Sequence, residues 1–356
     1  MTKTIAFHSN QLSIRGTEVA LYDYAHYNEA LLNNRSFVVY DASSPFNQAE
    51  ALPKFQERFE VVAYRDRSEL DDLLKSRNAD LLYAIKAGKR DGLVSRVMPT
   101  MVHAVFPCSP TQAHGSAYAY ISEWLSKHCS NGKIPSVPHI VHLPDVQGDL
   151  RATLGIPDDA LVLGCHGGQK SFDVPCAIEG LKAALDSRAD LYAVFLNVAS
   201  FVQHPRAIFL PGSPDMAYKV RFINTCDAML HARLQGESFG LACGEFSIRN
   251  KPVITYLHGK HGHHIDVLGD KGFYYHDKNS LLTIVRGMEK AQLADKDWDC
   301  YTARYNPATV MESFERHLIK PALANKGRTP DWHINWLDRL AYLRLKLQMR
   351  LNGKTA

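Results

Sequence analysis

The 356-residue chain carries a formal net charge of only +4, which is too mild to suggest a nucleic acid as its partner. No apolar run approaches the roughly 18–20 residues of a membrane-spanning helix, and the N-terminus lacks the pattern of a secretory signal. The seven cysteines include no Cys-x-x-Cys pair, which is typical of reduced thiols. We therefore expect a cytoplasmic protein, and the length is sufficient for two domains.

Short apolar strands alternate with helices through the first part of the chain. The pattern predicts strands at residues 4–8, 36–40, 60–64, 80–85, 101–106 and 118–122. Such alternation indicates an open parallel α/β sheet, in which the loops after the strands line a ligand crevice.

The first of these loops leads into Gly16 and Thr17, which begin a helical run to about residue 32. A strand, a glycine and a helix form the layout of a nucleotide-binding βα unit, although a simple helix start is the alternative. Two histidines are also predicted to lie near the strand ends that line this crevice. His103 lies within a strand and is alternatively a core residue, whereas His114 precedes Gly115 in a loop and is the better candidate for a base or a sugar contact.

Residues 134–145 contain three prolines and are predicted to link two domains. We place the domains at 1–147 and 148–305. The second domain repeats the alternation of strands and helices, with strands predicted at 161–165, 192–197, 207–210, 228–232 and 253–256.

The stretch 230–256 contains two carboxylates, Glu237 and Glu245, with seven residues between them. We expect Ser238 to cap a helix that begins near Phe239, with Glu245 about two turns into it. Amides of that first turn would suit a phosphate. An ordinary amphipathic helix with two solvated glutamates is the alternative. The residues predicted to bind a nucleotide sugar here are Arg233, Glu237, Ser238, Phe239, Gly240, Leu241 and Glu245.

From Gly236 to Ile254 this stretch resembles the Glu-x7-Glu segment of retaining GT-B glycosyltransferases. The resemblance implies two Rossmann-like domains that face each other across a cleft. It also implies a nucleotide-diphosphate sugar as donor, with no metal ion and no further cofactor. Glu237 would contact the donor sugar and Glu245 the ribose, while Gly16 and Thr17 would meet the phosphates.

The loop after residue 165 resembles the family's first loop of the second domain, where an arginine and a lysine neutralise the leaving diphosphate. Lys170 matches the lysine, but Cys165 stands where the family has the arginine. Arg233 is our candidate for the missing charge. If nothing replaces that charge, a non-catalytic nucleotide-sugar-binding protein is the alternative, and a nucleotide-sugar epimerase of the same fold is another.

Four histidines between residues 258 and 264 suggest a metal site, but no cysteine or carboxylate pattern supports one. We expect this loop to rim the donor-sugar pocket instead.

Residues 306–330 resemble the helix that crosses back to the N-terminal domain in the family. The basic amphipathic run 331–356 is expected to form a helix that packs on the protein or a partner, with contact to an anionic membrane surface as the alternative. The acceptor would be a glycan or a lipid-linked sugar.

Overall fold

The computed structural model describes residues 2–352, and the chain forms two compact units. Unit 1 holds the residues up to Ile140 together with Arg304–Leu347. Unit 2 holds Val141–Ala303 and the described residues from Gln348 on. The last four residues of the predicted run 331–356 lie outside the described part of the chain.

Unit 1 is built on a six-stranded parallel sheet of order β3-β2-β1-β4-β5-β6. The strands are β1 Thr4–Ser9, β2 Arg35–Asp41, β3 Glu60–Tyr64, β4 Leu81–Lys86, β5 Thr100–Ala104 and β6 Ala117–Tyr120. The helices of this stretch are α1 Gly16–Ala30, α2 Leu52–Gln56, α3 Leu70–Ser76 and α4 Glu123–Ser130. Every residue of β4 is buried, as expected for a central strand covered on both faces.

Unit 2 repeats this architecture with a parallel sheet of order β14-β12-β10-β7-β8-β9. Its strands are β7 Leu161–His166, β8 Leu191–Leu196, β9 Ala207–Leu210, β10 Ala228–His231, β12 Val253–Tyr256 and β14 Phe273–Tyr275, and a separate pair is formed by β11 Gly236–Glu237 and β13 His261–Gly262. Its helices are α5 Arg151–Leu154, α6 Pro175–Ser187, α7 Met216–Thr225, α8 Leu241–Ser247, α9 His263–Leu268, α10 Lys278–Arg286 and α11 Lys290–Ala294, and α12 Thr302–Tyr305 follows.

The last helices return to unit 1. They are α13 Pro307–Phe314, which continues through a π-helical turn over Glu315–Ile319 into α14 Lys320–Asn325, and α15 Trp336–Asn352. The Asn306 side chain caps α13 and Pro307 occupies its first turn, which explains why the helix begins there. Phe314 then packs on the unit 1 core, with its ring stacked 5.0 Å from that of Tyr24.

The predicted α/β class with two parallel sheets is confirmed. The sequence predictions missed the edge strand β14 and several helices, among them α4 and α10. They also began the last helix at residue 331, whereas α15 begins at Trp336. None of the helices within residues 2–352 is long and apolar enough to cross a membrane.

Candidate functional site

Glu237 lies on β11, in the loop that follows the carboxyl end of β10. The preceding residue, Gly236, has φ +62°, and a Cβ there would lie 2.0 Å from the carbonyl oxygen of His261. Only glycine fits this backbone at this distance from β13. The pairing of β11 with β13 thus fixes where the Glu237 side chain begins.

Two donors hold one oxygen of the Glu237 carboxylate. Nη1 of Arg233 lies 2.9 Å from Oε1, and Nε2 of His231 lies 3.3 Å from the same atom. Within residues 2–352 the other oxygen, Oε2, makes no hydrogen bond or ion pair. The side chain is 19% exposed, so this second oxygen is the one that can accept hydrogen bonds from a ligand.

The carboxylate of Glu237 stays ionised in spite of its environment. Burial acts to raise its pKa, but the hydrogen bond from His231 and the charge of Arg233 outweigh that effect and lower the pKa to about 2. At neutral pH the residue is therefore a fixed, charged hydrogen-bond acceptor.

A buried series of hydrogen-bonded polar groups lies behind Glu237. Nδ1 of His231 is 2.8 Å from the Thr255 hydroxyl, and that hydroxyl is 2.9 Å from Nε2 of His264. Ionised Glu237 can only accept, so Nε2 of His231 carries a proton. In neutral His231, Nδ1 then accepts from Thr255, and the Thr255 oxygen accepts from Nε2–H of His264. Nδ1 of His264 then carries only a lone pair. This agrees with the structure, where that nitrogen is buried and has no hydrogen-bond partner within residues 2–352.

Burial lowers the pKa of His264 well below its usual range, and nearby His231 adds to this effect, so His264 is neutral at physiological pH. Each of these hydrogen-bonded groups thus fixes the orientation of the next, and His231 orients Glu237.

The predicted cap at Ser238 is wrong. Helix α8 begins at Leu241, its N-cap residue is Gly240 with φ +93°, and no side chain caps it. A left-handed residue at this position needs glycine, and the chain therefore turns into the helix two residues later than expected. Glu245 consequently lies just over one turn into α8, rather than two. Phe239 is buried in the turn, with its ring 5.3 Å from that of His263.

Glu245 is 4% exposed and has two neighbours from other elements. Lys219, on α7, donates to its Oε1, and Nε2 of His166, at the end of β7, lies 2.8 Å from its Oε2. Burial acts to raise the pKa of Glu245, but the charges of Lys219 and His166 lower it to about 2. Oε2 is a buried oxygen, and His166 is its only close polar neighbour within residues 2–352.

Lys170 is exposed in the loop after β7. The side chain of Asn197 braces this loop, since its amide donates to the Gly167 carbonyl at 2.7 Å and its oxygen accepts from Gln169 at 3.0 Å. Cys165 is buried, and burial, reinforced by the charge of Glu237, raises the pKa of its thiol to about 12. It is a neutral thiol within electrostatic reach of Arg233.

In unit 1, Gly16 and Thr17 are the first two residues of α1, and no side chain caps that helix. The loop before it is ordered by buried Glu18, whose carboxylate accepts from Ser13 at 2.5 Å and from Gln11 at 2.9 Å. Burial raises the pKa of Glu18. Sequence analysis did not single out Glu18. Its position as an acidic residue in the first turn of α1 was the one signal that could have indicated its role in this loop.

The two candidate histidines of unit 1, His103 and His114, differ in how their ring nitrogens are used. Nδ1 of His103 lies 2.8 Å from the Tyr83 hydroxyl and its Nε2 lies 2.8 Å from the Val137 carbonyl, as in a satisfied core histidine. His114 donates from Nδ1 to the Gln112 carbonyl at 2.8 Å, which leaves Nε2 as a buried lone pair without a partner. Burial lowers the pKa of His114, which favours the neutral ring, and Nε2 can then accept a hydrogen bond from a hydroxyl.

Three of the four histidines predicted to rim the pocket are buried, namely His261, His263 and His264. They pack behind the Glu237 loop. Within residues 2–352 no group of three or more His, Cys, Asp or Glu side chains could hold a metal ion.

Comparisons with known proteins find similarity at the level of structure. HepE from Anabaena, solved in complex with UDP-glucose, matches with a TM-score of 0.67 at 16% identity, over 88% of this chain and 98% of its own. A glycosyltransferase from Rickettsia africae matches with a TM-score of 0.58 at 10% identity, over 98% of each chain. A candidate UDP-N-acetylglucosamine 2-epimerase from Listeria monocytogenes matches with a TM-score of 0.58 at 12% identity, over 89% of this chain and 96% of its own.

The chain has the GT-B fold. No family model and no curated protein matches the sequence. At these identities the likeness concerns the fold alone, and the chemistry must be argued from the site.

Besides Glu18, sequence analysis missed four residues around Glu237 and Glu245. His231 is the last residue of β10, so its position at a strand end was a usable signal. His166 ends β7 in the same way. Lys219 and Thr255 gave no signal, because only the packing of α7 against α8 and of β10 against β12 brings them to the two carboxylates.

Proposed function

We propose that this protein is a retaining glycosyltransferase. It moves a sugar from a nucleotide-diphosphate sugar to a glycan or a lipid-linked acceptor, without a metal ion or a further cofactor. We place it in the cytoplasm, at the inner face of a membrane. The observation that carries the proposal is Glu237, an ionised carboxylate with one oxygen fixed by two donors and the other oxygen unpaired.

A fixed carboxylate of this kind suits a sugar. Its unpaired Oε2 accepts hydrogen bonds from neighbouring hydroxyls of the transferred sugar, and its charge favours the positive charge that develops as the glycosidic bond breaks. Because His231 and Arg233 hold Oε1 beforehand, the carboxylate needs little reorganisation when the donor binds.

The remaining contacts follow from the same chemistry. Glu245 takes the ribose hydroxyls at Oε2, with Lys219 and His166 keeping it charged. Lys170 and Arg233 neutralise the departing diphosphate. Amides around Phe239–Leu241, and those of Gly16 and Thr17, are proposed to add hydrogen bonds to the phosphates. Nε2 of His114 is proposed to accept a hydrogen bond from a hydroxyl of a bound sugar.

Thermal shift with UDP, GDP and ADP sugars tests donor binding. We expect one nucleotide to raise the melting temperature of the wild type, and Glu245→Gln, which keeps the size of the side chain, to reduce that rise. Glu179→Gln, on the exposed side of α6, is the matched control and should retain the full rise. If Glu245→Gln keeps the full rise, the ribose role is wrong.

An activity assay with the stabilising donor separates the candidate functions. Slow donor hydrolysis with release of a sugar of retained anomeric configuration, abolished in Glu237→Gln, supports transfer. Conversion of the nucleotide sugar to its epimer without an acceptor would identify an epimerase, which the Listeria neighbour makes a specific rival. Binding with neither reaction would identify a non-catalytic protein.

A further inference from the structure

Helix α15 has two opposite faces. Asp338 and Leu345 are each 1% exposed and face the protein. An α-helix turns about 100° per residue, so the opposite face carries residues 336, 340, 343, 347 and 351. On that face Trp336 is 68% exposed, Leu343 55% and Leu347 60%.

This outer face is unusual for the chain. Five large apolar side chains of this one helix are exposed: Trp336, Leu337, Leu343, Leu347 and Leu351. Single exposed leucines are ordinary, but a continuous apolar stripe with nothing packed on it marks an interaction surface. We call Trp336, Leu343, Leu347 and Leu351, the exposed apolar residues on the face opposite Asp338, the outer stripe.

Cations border the outer stripe on both sides. Arg339, Lys346 and Arg350 lie roughly 60–100° to one side of it, and Arg344 lies roughly 60° to the other. All four are exposed. The one acidic residue of the helix, Asp338, is turned toward the protein. The surface that α15 presents is therefore apolar along its middle and positive along its edges.

We propose that α15 lies in the plane of an anionic lipid surface. Trp336, Leu343 and Leu347 enter the boundary between headgroups and acyl chains, and the flanking cations meet lipid phosphates. Charge decides between this partner and a second copy of the chain. Pairing two outer stripes would bring like charges together with no exposed acid on either helix to offset them, whereas an anionic membrane complements every exposed charge of α15.

The inference goes beyond sugar transfer, because it depends on α15 alone. It is tested with the full chain, without donor, by flotation with vesicles of phosphatidylcholine with or without phosphatidylglycerol. We expect the protein to float only with the anionic vesicles, and to be released by high salt.

Two sets of variants carry the test. Leu343→Ser with Leu347→Ser should lower the partition coefficient about tenfold or more, and Arg339→Gln with Lys346→Gln and Arg350→Gln should do the same. Leu31→Ser, which changes a leucine that is 44% exposed at the end of α1, is the matched control and should float like the wild type. Circular dichroism confirms that each variant is folded.

Three outcomes would overturn the inference. The wild type stays with the supernatant at every lipid composition, or the folded double-serine variant floats as well as the wild type. Alternatively, sedimentation shows a dimer that Leu343→Ser with Leu347→Ser dissociates, and the outer stripe then belongs to a second copy. Donor binding, measured separately, is expected to be unchanged in all these variants, so a failure here is distinct from a failure of the transferase assignment.

Discussion

The low pKa of Glu237 makes a stability prediction that one substitution tests. A carboxylate whose pKa falls from 4.5 to about 2 on folding stabilises the folded state above its unfolded pKa. That contribution is lost as the pH falls toward the folded pKa. The affected window therefore lies between about pH 5 and pH 2, and at neutral pH the contribution is fully present.

The size of the effect follows from the two pKa values. Proton linkage gives a loss of about 2 kcal/mol between pH 7 and pH 3 for this one carboxylate. The side chain is only 19% exposed, so solvent screening removes little of it. Glu237→Gln eliminates the titrating group while keeping the length of the side chain and its hydrogen-bonding oxygen.

Urea unfolding at pH 7 and at pH 3 measures the effect. We expect the wild type to lose about 2 kcal/mol more stability than Glu237→Gln between these pH values. Trp298, buried in unit 2, supplies a fluorescence signal from the correct unit. Glu179→Gln, which removes an exposed carboxylate, should lose as much as the wild type. Equal losses in the wild type and in Glu237→Gln would refute the ionisation argument.

Two further substitutions test the geometry around Glu237. Gly236→Ala should cost at least about 2 kcal/mol, because it combines a positive φ with a clash against the His261 carbonyl. Gly155→Ala, at φ +65° in open space, should cost about half as much, and equal losses in melting temperature would show that the clash is relieved. His231→Gln should raise the pKa of Glu237, because burial already acts in that direction and the substitution removes the imidazole hydrogen bond that lowers this pKa. Carbon NMR of labelled glutamate measures this, with exposed His276→Gln as the control, and an unchanged pKa would assign the effect to Arg233 alone.

The sequence predicted the two sheets because parallel strands buried on both faces give continuous apolar runs. β3, β9 and β12 occupy the predicted residues. The start of α8 was misjudged for a physical reason. Ser238 suits a cap, but the left-handed Gly240 delays the helix, and the sequence does not reveal which of two compatible turns the tertiary contacts select.

The site shows the same division between local and non-local information. Glu237 and Glu245 were found because both lie on one contiguous stretch with a recognisable spacing. Some of their partners lie outside that stretch: Lys219 is 26 residues before Glu245 in the chain, and His264 reaches Glu237 only through Thr255 and His231. Contacts of this kind depend on the register of β10 against β12, which no local pattern specifies.

Arg233 has to serve two groups if it also supplies the positive charge that Cys165 cannot supply to a diphosphate. A guanidinium has five N–H donors, and only Nη1 is engaged with Glu237, while 38% of the side chain is exposed. The outer donors can therefore meet a diphosphate while the inner one holds the carboxylate. A lysine has the same charge but places its donors on one atom, so it cannot span both groups.

Arg233→Lys separates these two duties. We expect the pKa of Glu237 to stay low, because the positive charge remains beside it. The affinity for the nucleoside diphosphate should fall about tenfold to a hundredfold, the worth of a hydrogen bond to a charged group, while the affinity for the nucleoside alone should not change. Calorimetry with both ligands measures the difference, and exposed Arg221→Lys on α7 is the matched control. If Arg233→Lys binds the diphosphate as tightly as the wild type, Arg233 does not hold the phosphates, and Lys170 would have to neutralise them without it.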